Sequence, residues 1–209
     1  MCLLFLFNAI CLIIILPIYF LSVEHLKLQE KYGKEKGLHI TKIYGLISGW
    51  SFFLFLFGIW ISPQPRFRIS LFQITLNLIP IITFSVTLFQ LLISVPIIFF
   101  GAWFGIVGVK KITLKVAETH RPEKIIRTGI YSRIRHPQYF GAILSHLGIS
   151  ILLSSFYSLL STPFIIFIIY LISWKEEKEL IREFGKDYED YKEIVPMLIP
   201  KLRVKKSEK

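Results

Sequence analysis

Charge is what this sequence has little of. Only 19% of its 209 residues are Asp, Glu, Lys or Arg, against about 25% in soluble domains, while 54% are apolar. A chain of that composition is not a disordered tail, and two cysteines do not make a disulfide scaffold. Cys2 and Cys11 stand nine positions apart in one apolar run, on opposite faces of a helix, so they do not pair with each other. There is no C-x-x-C, and none of the five histidines stands at a metal-ligand spacing from either cysteine. The residues therefore point to neither a zinc site nor a haem.

Acidic residues are the scarcer sign, 14 against 25 basic, for a formal net charge of +11. The placement of the basic residues decides what that charge is for. Five fall in 23–42, two in 63–68, eight in 110–135 and ten in 175–209, and the apolar stretches between are free of them. That is the pattern of positive-inside topology facing anionic lipid headgroups, with no basic stripe interleaved with aromatics, so nucleic-acid binding is not expected.

What is there in abundance is long uncharged sequence. Met1–Val23 has no basic start and no small-residue cleavage site, and reads as a retained transmembrane helix with its N-terminus outside. Ile43–Ser62 returns the chain, ended by Pro63 and Pro65. If the basic loops 23–42 and 110–137 share one side, 69–111 contributes one net crossing. We assign that crossing to Leu92–Lys111 and read 69–90 as a helix or re-entrant piece on the outer side. Tyr139–Trp174, broken near Ser154–Ser158 and Ser161–Pro163, predicts a tight helical hairpin with arms short for full spans. The fold expected is all-α: a polytopic helical bundle of about five crossings with a C-terminal helical hairpin and a cytoplasmic cap. Two regions follow, 1–91 as N-terminal membrane helices and 92–209 as the region carrying chemistry.

Two polar segments meet at the mouths of that hairpin, 129–141 before it and a run beginning Lys175-Glu176-Glu177 after it. Singly, each residue has a plain explanation. Pro137 suits a first helical turn, Arg133 and Arg135 interfacial anchoring, Tyr131 and Tyr139 an aromatic belt, Gly141 close helix packing, and Glu179 the solvated face of its helix. Together they bring a wet side and a greasy side to one place, which an enzyme of a lipophilic substrate needs. A channel or transporter would instead call for charged residues within the spans, and the spans have none.

The pattern G-x-Y-x-x-x-R-H-P-x-Y-x-G at 129–141, then E-E-x-x-L-x-x-x-F-G-x-x-Y-x-x-Y at 176–191 and V-P-x-x-I-P at 195–200, closely resembles the isoprenylcysteine carboxyl methyltransferase family. Membrane methyltransferases of phospholipids share a looser form. The seven fixed residues of the first block would coincide by chance on the order of once in a billion windows. The resemblance covers 92–203, and 1–91 match only as generic membrane helices. It implies an S-adenosyl-L-methionine site made of loop and helix ends. Carried over, the cofactor-binding residues are Lys124, Ile125, Ile126, Tyr131, His136, Pro137, Gln138, Tyr139 and Glu176, with Arg135, Lys175 and Glu177 as catalytic candidates and no metal. The partners implied are the bilayer and a lipophilic substrate such as a prenylated cysteine carboxylate. A phospholipid amine or a small lipophilic thiol or acid is the alternative acceptor.

Two positions depart from the family. Glu123 stands where its first segment usually begins with His, with His120 three residues earlier. Ile172 stands where it has a basic residue that grips the substrate carboxylate. Lys175, Arg135 or Arg133 could take over that grip. A carboxylate acceptor needs no base, being ionised at neutral pH, whereas an amine or thiol needs one, with Glu177 or His136 the candidates.

Overall fold

The computed structural model describes residues 2–67, 75–79, 84–112 and 124–201. Position 123 and the C-terminal basic run from 202 on lie outside them.

The helices follow the uncharged runs. α1 (Leu3–Val23), α3 (Lys34–Ile61) and α4 (Leu88–Ile112) are long and apolar enough to cross a membrane. Between the first two lies the short polar helix α2 (His25–Tyr32). Gly33 makes the turn from α2 into α3 at φ 84°, a left-handed conformation that costs other residues strain. After α4 come α5 (Pro137–Leu152), a short α6 (Phe156–Leu160), α7 (Thr162–Phe184) and α8 (Lys186–Ile194). Pro137 opens α5 at its first turn, where a missing N–H costs nothing. The arms expected between 139 and 174 are these: α5 has 16 residues, about 24 Å at 1.5 Å each, short of the roughly 30 Å hydrocarbon layer.

The segment 69–90 departs from expectation. Its described part is not helical until Leu88. Thr75–Ile79 (β1) pairs antiparallel with Phe84–Thr87 (β2), in register from Thr75 opposite Thr87 to Ile79 opposite Phe84, with an irregularity between Asn77 and Ile79. The polar residues Thr75, Asn77, Ser85 and Thr87, which look like interruptions of a helix, recur at every second position, the period of a strand.

The five longer helices alternate in direction between two ends. At one end Gln64 accepts the Ser158 N–H (2.8 Å), Phe67 N–H bonds the Ser154 carbonyl (3.1 Å), and Gln90 Nε2 donates to Ser154 Oγ (2.9 Å). At the other, the α1–α2 elbow, the end of α4, the loop before α5 and the lower half of α7 come together. Leu12, Leu16 and Val23 of α1, Leu56 and Ile59 of α3, and Ile165, Ile168, Ile169 and Ile172 of α7 form the core. Outward faces carry Trp50, Phe53 and Phe57 on α3 and Leu92, Phe99 and Trp103 on α4, all exposed. An apolar core with an equally apolar exterior is the pattern of an integral membrane protein, since lipid replaces water as the solvent for those faces.

α4 and α5 are fastened by small residues. A Cβ on Gly101 would come within 2.9 Å of the Gly141 carbonyl oxygen, and one on Gly141 within 2.5 Å of the Gly101 carbonyl oxygen. Gly108 meets Pro137, and Gly148 meets Ile98. A glycine ridge on each helix lets the backbones touch, the device that substitutes for hydrophobic driving force in lipid. It also fixes the loop that enters α5 directly beneath the end of α4.

Candidate active site

That loop is built from its own backbone outward. Thr128 leads into a 3-10 turn at Gly129–Ser132, and Tyr131 reaches back so that its hydroxyl donates to the Gly108 carbonyl (3.2 Å). The chain after α8 then returns across it. Arg135 N–H bonds the Pro196 carbonyl (3.0 Å), His136 N–H the Met197 carbonyl (3.1 Å), and Lys201 N–H the Arg133 carbonyl (3.0 Å). The R-H-P and V-P-x-x-I-P blocks, 60 residues apart, are thus two strips of one backbone ladder.

Arg135 is held at three nitrogens. It is buried, its Nε and Nη2 donate to the two carboxylate oxygens of Glu177 (2.7 and 3.0 Å), and its Nη1 donates to the carbonyls of Lys192 (2.7 Å) and Val195. Glu177, 1% exposed, also meets His136 Nε2 (3.1 Å) and Lys192 Nζ (3.7 Å). Burial works to raise the Glu177 pKa, but the hydrogen bonds and charges of His136 and Arg135 overcome it and hold the carboxyl below its ordinary range. His136 faces a second carboxylate, with Nδ1 3.4 Å from Glu176 Oε2. Burial alone would lower its pKa; Glu176 and Glu177 raise it, favouring imidazolium.

Glu176 is the centre of a different group. Its Oε1 accepts from the Tyr139 hydroxyl (2.5 Å) and from the hydroxyl of Tyr19 on α1, and those hydroxyls lie 2.6 Å apart. Tyr139 stacks on His136 with ring centroids 5.5 Å apart. On the far wall, the Tyr191 hydroxyl donates to the Tyr131 carbonyl (2.6 Å), and Tyr188 sits edge-on to Tyr191. Burial raises the phenol pKa values of Tyr131, Tyr188 and Tyr191, so all three are neutral rings.

These groups surround one open cleft. Of the residues singled out from sequence for the cofactor, Lys124, Ile125, Ile126, Tyr131, His136, Gln138 and Glu176 line it. Tyr139 acts on it through Glu176, and Pro137 lies behind it against Gly108. Arg135 reaches the wall with most of its donors engaged, and Glu177 sits behind the wall. Lys175 turns away: its Nζ bonds Glu24 (2.5 Å) and Glu179 (3.1 Å). Ile172 is 4% exposed in the apolar core.

Glu179 corrects the expectation of a solvated face. It is 2% exposed, lines the cleft, and accepts from Lys175 and from Arg182 (2.7 Å). The reason is α1–α2, which packs along this side of α7 and converts its outward face into an inner one. The same packing supplies wall residues that motif reading misses. Val23 and His25 line the cleft, as do Leu180 and Phe184. Leu180 and Phe184 were within the motif; Tyr19, Val23 and His25 carry no local signal, since a tyrosine or histidine at the end of a membrane helix reads as an interfacial anchor.

A cleft with neutral aromatic faces and a carboxylate suits a cationic ligand. Comparison with known proteins finds methyltransferases. Residues 89–187 match the family described as Phospholipid methyltransferase. The chain is 33% identical over 92 residues to a protein-S-isoprenylcysteine O-methyltransferase of Schizosaccharomyces pombe, covering 40% of this chain and 36% of that one. It is 29% identical over 102 residues to methanethiol S-methyltransferase 2 of Bradyrhizobium diazoefficiens, covering 47% and 38% respectively. The chain thus spans little more than a third of the length of either relative. Residues 89–187 are thus similar to methyltransferases that act on phospholipids, isoprenylcysteine and methanethiol, as those proteins are described.

Proposed function

We propose that the protein transfers a methyl group from S-adenosyl-L-methionine to a lipophilic acceptor at the membrane surface, as an isoprenylcysteine-type carboxyl O-methyltransferase does. The observation that carries this reading is the convergence of 124–126, Tyr131, His136, Gln138 and Glu176 on one cleft where the apolar bundle ends. The residues present fit the cofactor. Gln138 Oε1 is buried without a hydrogen bond among the described residues, an acceptor waiting for a donor. When bound, S-adenosyl-L-methionine supplies an electrophilic methyl on a sulfonium.

The protein's part is positional. Tyr131 and the Tyr188–Tyr191 pair offer ring faces to a cation, and Glu176, braced by Tyr19 and Tyr139, offers a carboxylate to an amine or ribose hydroxyls. Arg135, Glu177 and His136 hold the loop and the C-terminal segment in register. The apolar side of the cleft admits the acceptor and excludes water, so opposite charges approach in a poorly screened site.

One observation favours a second reading of the acceptor. A carboxylate needs a cation to grip it, yet Arg135 is already bonded to Glu177 and two carbonyls, Lys175 to Glu24 and Glu179, and position 172 is a buried isoleucine. Lys124, Arg127 and Arg133 are the other cations among the described residues of the loop. A lipophilic thiol or amine needs no such grip. Incubating detergent-purified protein with labelled S-adenosyl-L-methionine and prenylcysteine, phospholipid and thiol acceptors tests both readings. Transfer to prenylcysteine supports the first, transfer to thiol or amine alone the second, and no transfer with no cofactor binding overturns both.

The site is further proposed to face the cytoplasm, with 1–91 and 92–209 as membrane and catalytic regions and about five crossings in all. The alternating helices and the basic residues gathered at the cleft end support this. Single cysteines at Lys34 and Lys124 should then be protected together from an impermeant outside reagent, and one at Gln64 labelled. Labelling of Lys124 without Lys34 would overturn the topology.

A further inference from the structure

The α1–α2 elbow lies outside the matched residues 89–187, and it places a histidine in the cleft. His25 is 1% exposed. Its Nδ1 lies 3.0 Å from the carbonyl oxygen of Val23. A carbonyl only accepts, so Nδ1 carries the proton and, in the neutral ring, Nε2 is left as an acceptor. Nε2 is buried, lies 3.3 Å from Glu183 Oε2, and makes no hydrogen bond among the described residues. Orphaned buried nitrogens are costly, and this one lines a cleft whose other orphan, Gln138 Oε1, is also an acceptor.

The position along the cleft is set by α7. Glu176, Leu180 and Glu183 recur at helical spacing on one face, and the elbow follows that face: Tyr19 meets Glu176, Glu24 meets Lys175, and His25 meets Glu183. Seven residues separate Glu176 from Glu183, about 10 Å along the axis, directed away from the apolar bundle. An elongated ligand with one polar group on Glu176 would reach toward His25, beside Glu183, with its other end.

We propose that His25, backed by Glu183, is a further cofactor-binding residue, its Nε2 and the Glu183 carboxylate together receiving an N–H donor from the far end of bound S-adenosyl-L-methionine. This rests on the methyltransferase reading above and extends it to the N-terminal helices. The donor is an amine, and the cofactor carries two: the α-ammonium of its amino-acid end and the exocyclic amine of its adenine. The elbow is then part of the cofactor site, and the division between membrane and catalytic regions does not hold at the level of the pocket.

Calorimetry on the full-length protein in detergent tests it, using S-adenosylhomocysteine and 5′-methylthioadenosine, which lacks the amino-acid end. His25→Ala should weaken S-adenosylhomocysteine binding by about 10- to 100-fold, the worth of a hydrogen bond to a charged or buried partner, and Glu183→Gln by about 10-fold. If 5′-methylthioadenosine binding is unchanged in His25→Ala, the donor is the α-ammonium; if it weakens equally, the donor is the adenine amine. Wild type that binds neither compound overturns the methyltransferase reading itself. Wild type that binds, with both variants folded and binding equally well, overturns only the assignment of His25. Should His25→Ala fail to fold, Glu183→Gln decides alone: weaker binding supports the assignment and unchanged affinity removes it.

Discussion

Replacing Arg135 with Met should be far more damaging than removing the whole ion pair. In the wild type the guanidinium neutralises Glu177 through two hydrogen bonds and ties down the carbonyls of Lys192 and Val195. Arg135→Met leaves a carboxylate that is 1% exposed with only His136 and the more distant Lys192 beside it. Breaking one side of a buried pair costs about 3–5 kcal/mol, whereas replacing both sides with apolar residues is often close to neutral. Glu177→Leu alone strands the buried cation at a similar cost. The double variant Arg135→Met/Glu177→Leu should therefore lose far less than the sum of the singles. A residual loss of about 1–3 kcal/mol is expected, because two carbonyls lose their donor and His136 loses an acceptor. Equilibrium unfolding of detergent-solubilised protein gives the three free energies. Single losses that add to the double within about 0.5 kcal/mol would show no coupling, and the reading of Arg135 as a structural clamp would be wrong.

Stability should also depend on pH through the same cluster. His136, raised from its ordinary 6.5, stabilises fully below that value and less as pH climbs through its elevated folded pKa. Glu177, held below its ordinary 4.5, stabilises above that value and less as pH falls through its depressed folded pKa. Melting temperature should decline as pH rises above the ordinary 6.5 of His136, and His136→Gln should flatten that limb; an identical decline in the variant would assign it to other groups. Gly141→Ala should destabilise by about 1–3 kcal/mol, because its Cβ meets backbone atoms of Gly101 and Gly105 that cannot rotate aside. An unchanged melting temperature would mean that α4 and α5 are not in direct contact there.

The sequence exposed the long helices because lipid-facing runs must lack charge throughout, which no local context can mask. The strands at 75–79 and 84–87 were hidden by the same apolar bias, since period-two polarity over a few residues is a weak signal beside the long uncharged tract from 69 to 109. The site divides along a similar line. Tyr131, His136, Gln138 and Glu176 were legible because their spacing forms a motif within two contiguous segments. The burial of Glu179 was not legible because its surroundings depend on α1–α2, more than 140 positions away in the chain. His25 was not legible at all, being defined only by what it packs against.

The ladder between 133–136 and 196–201 orders events in time. A ribosome delivers the helices of this bundle to the membrane in sequence, so α1 to α7 can be inserted and packed while the last strip of the ladder is still unsynthesised. Until residues 195–201 emerge, Arg135 and His136 lack the carbonyls of Val195, Pro196 and Met197, and the loop is tied to the bundle through Gly108 and Glu177. Insertion and maturation are therefore separable steps, and the cleft assumes its final shape only after the membrane part has been laid down.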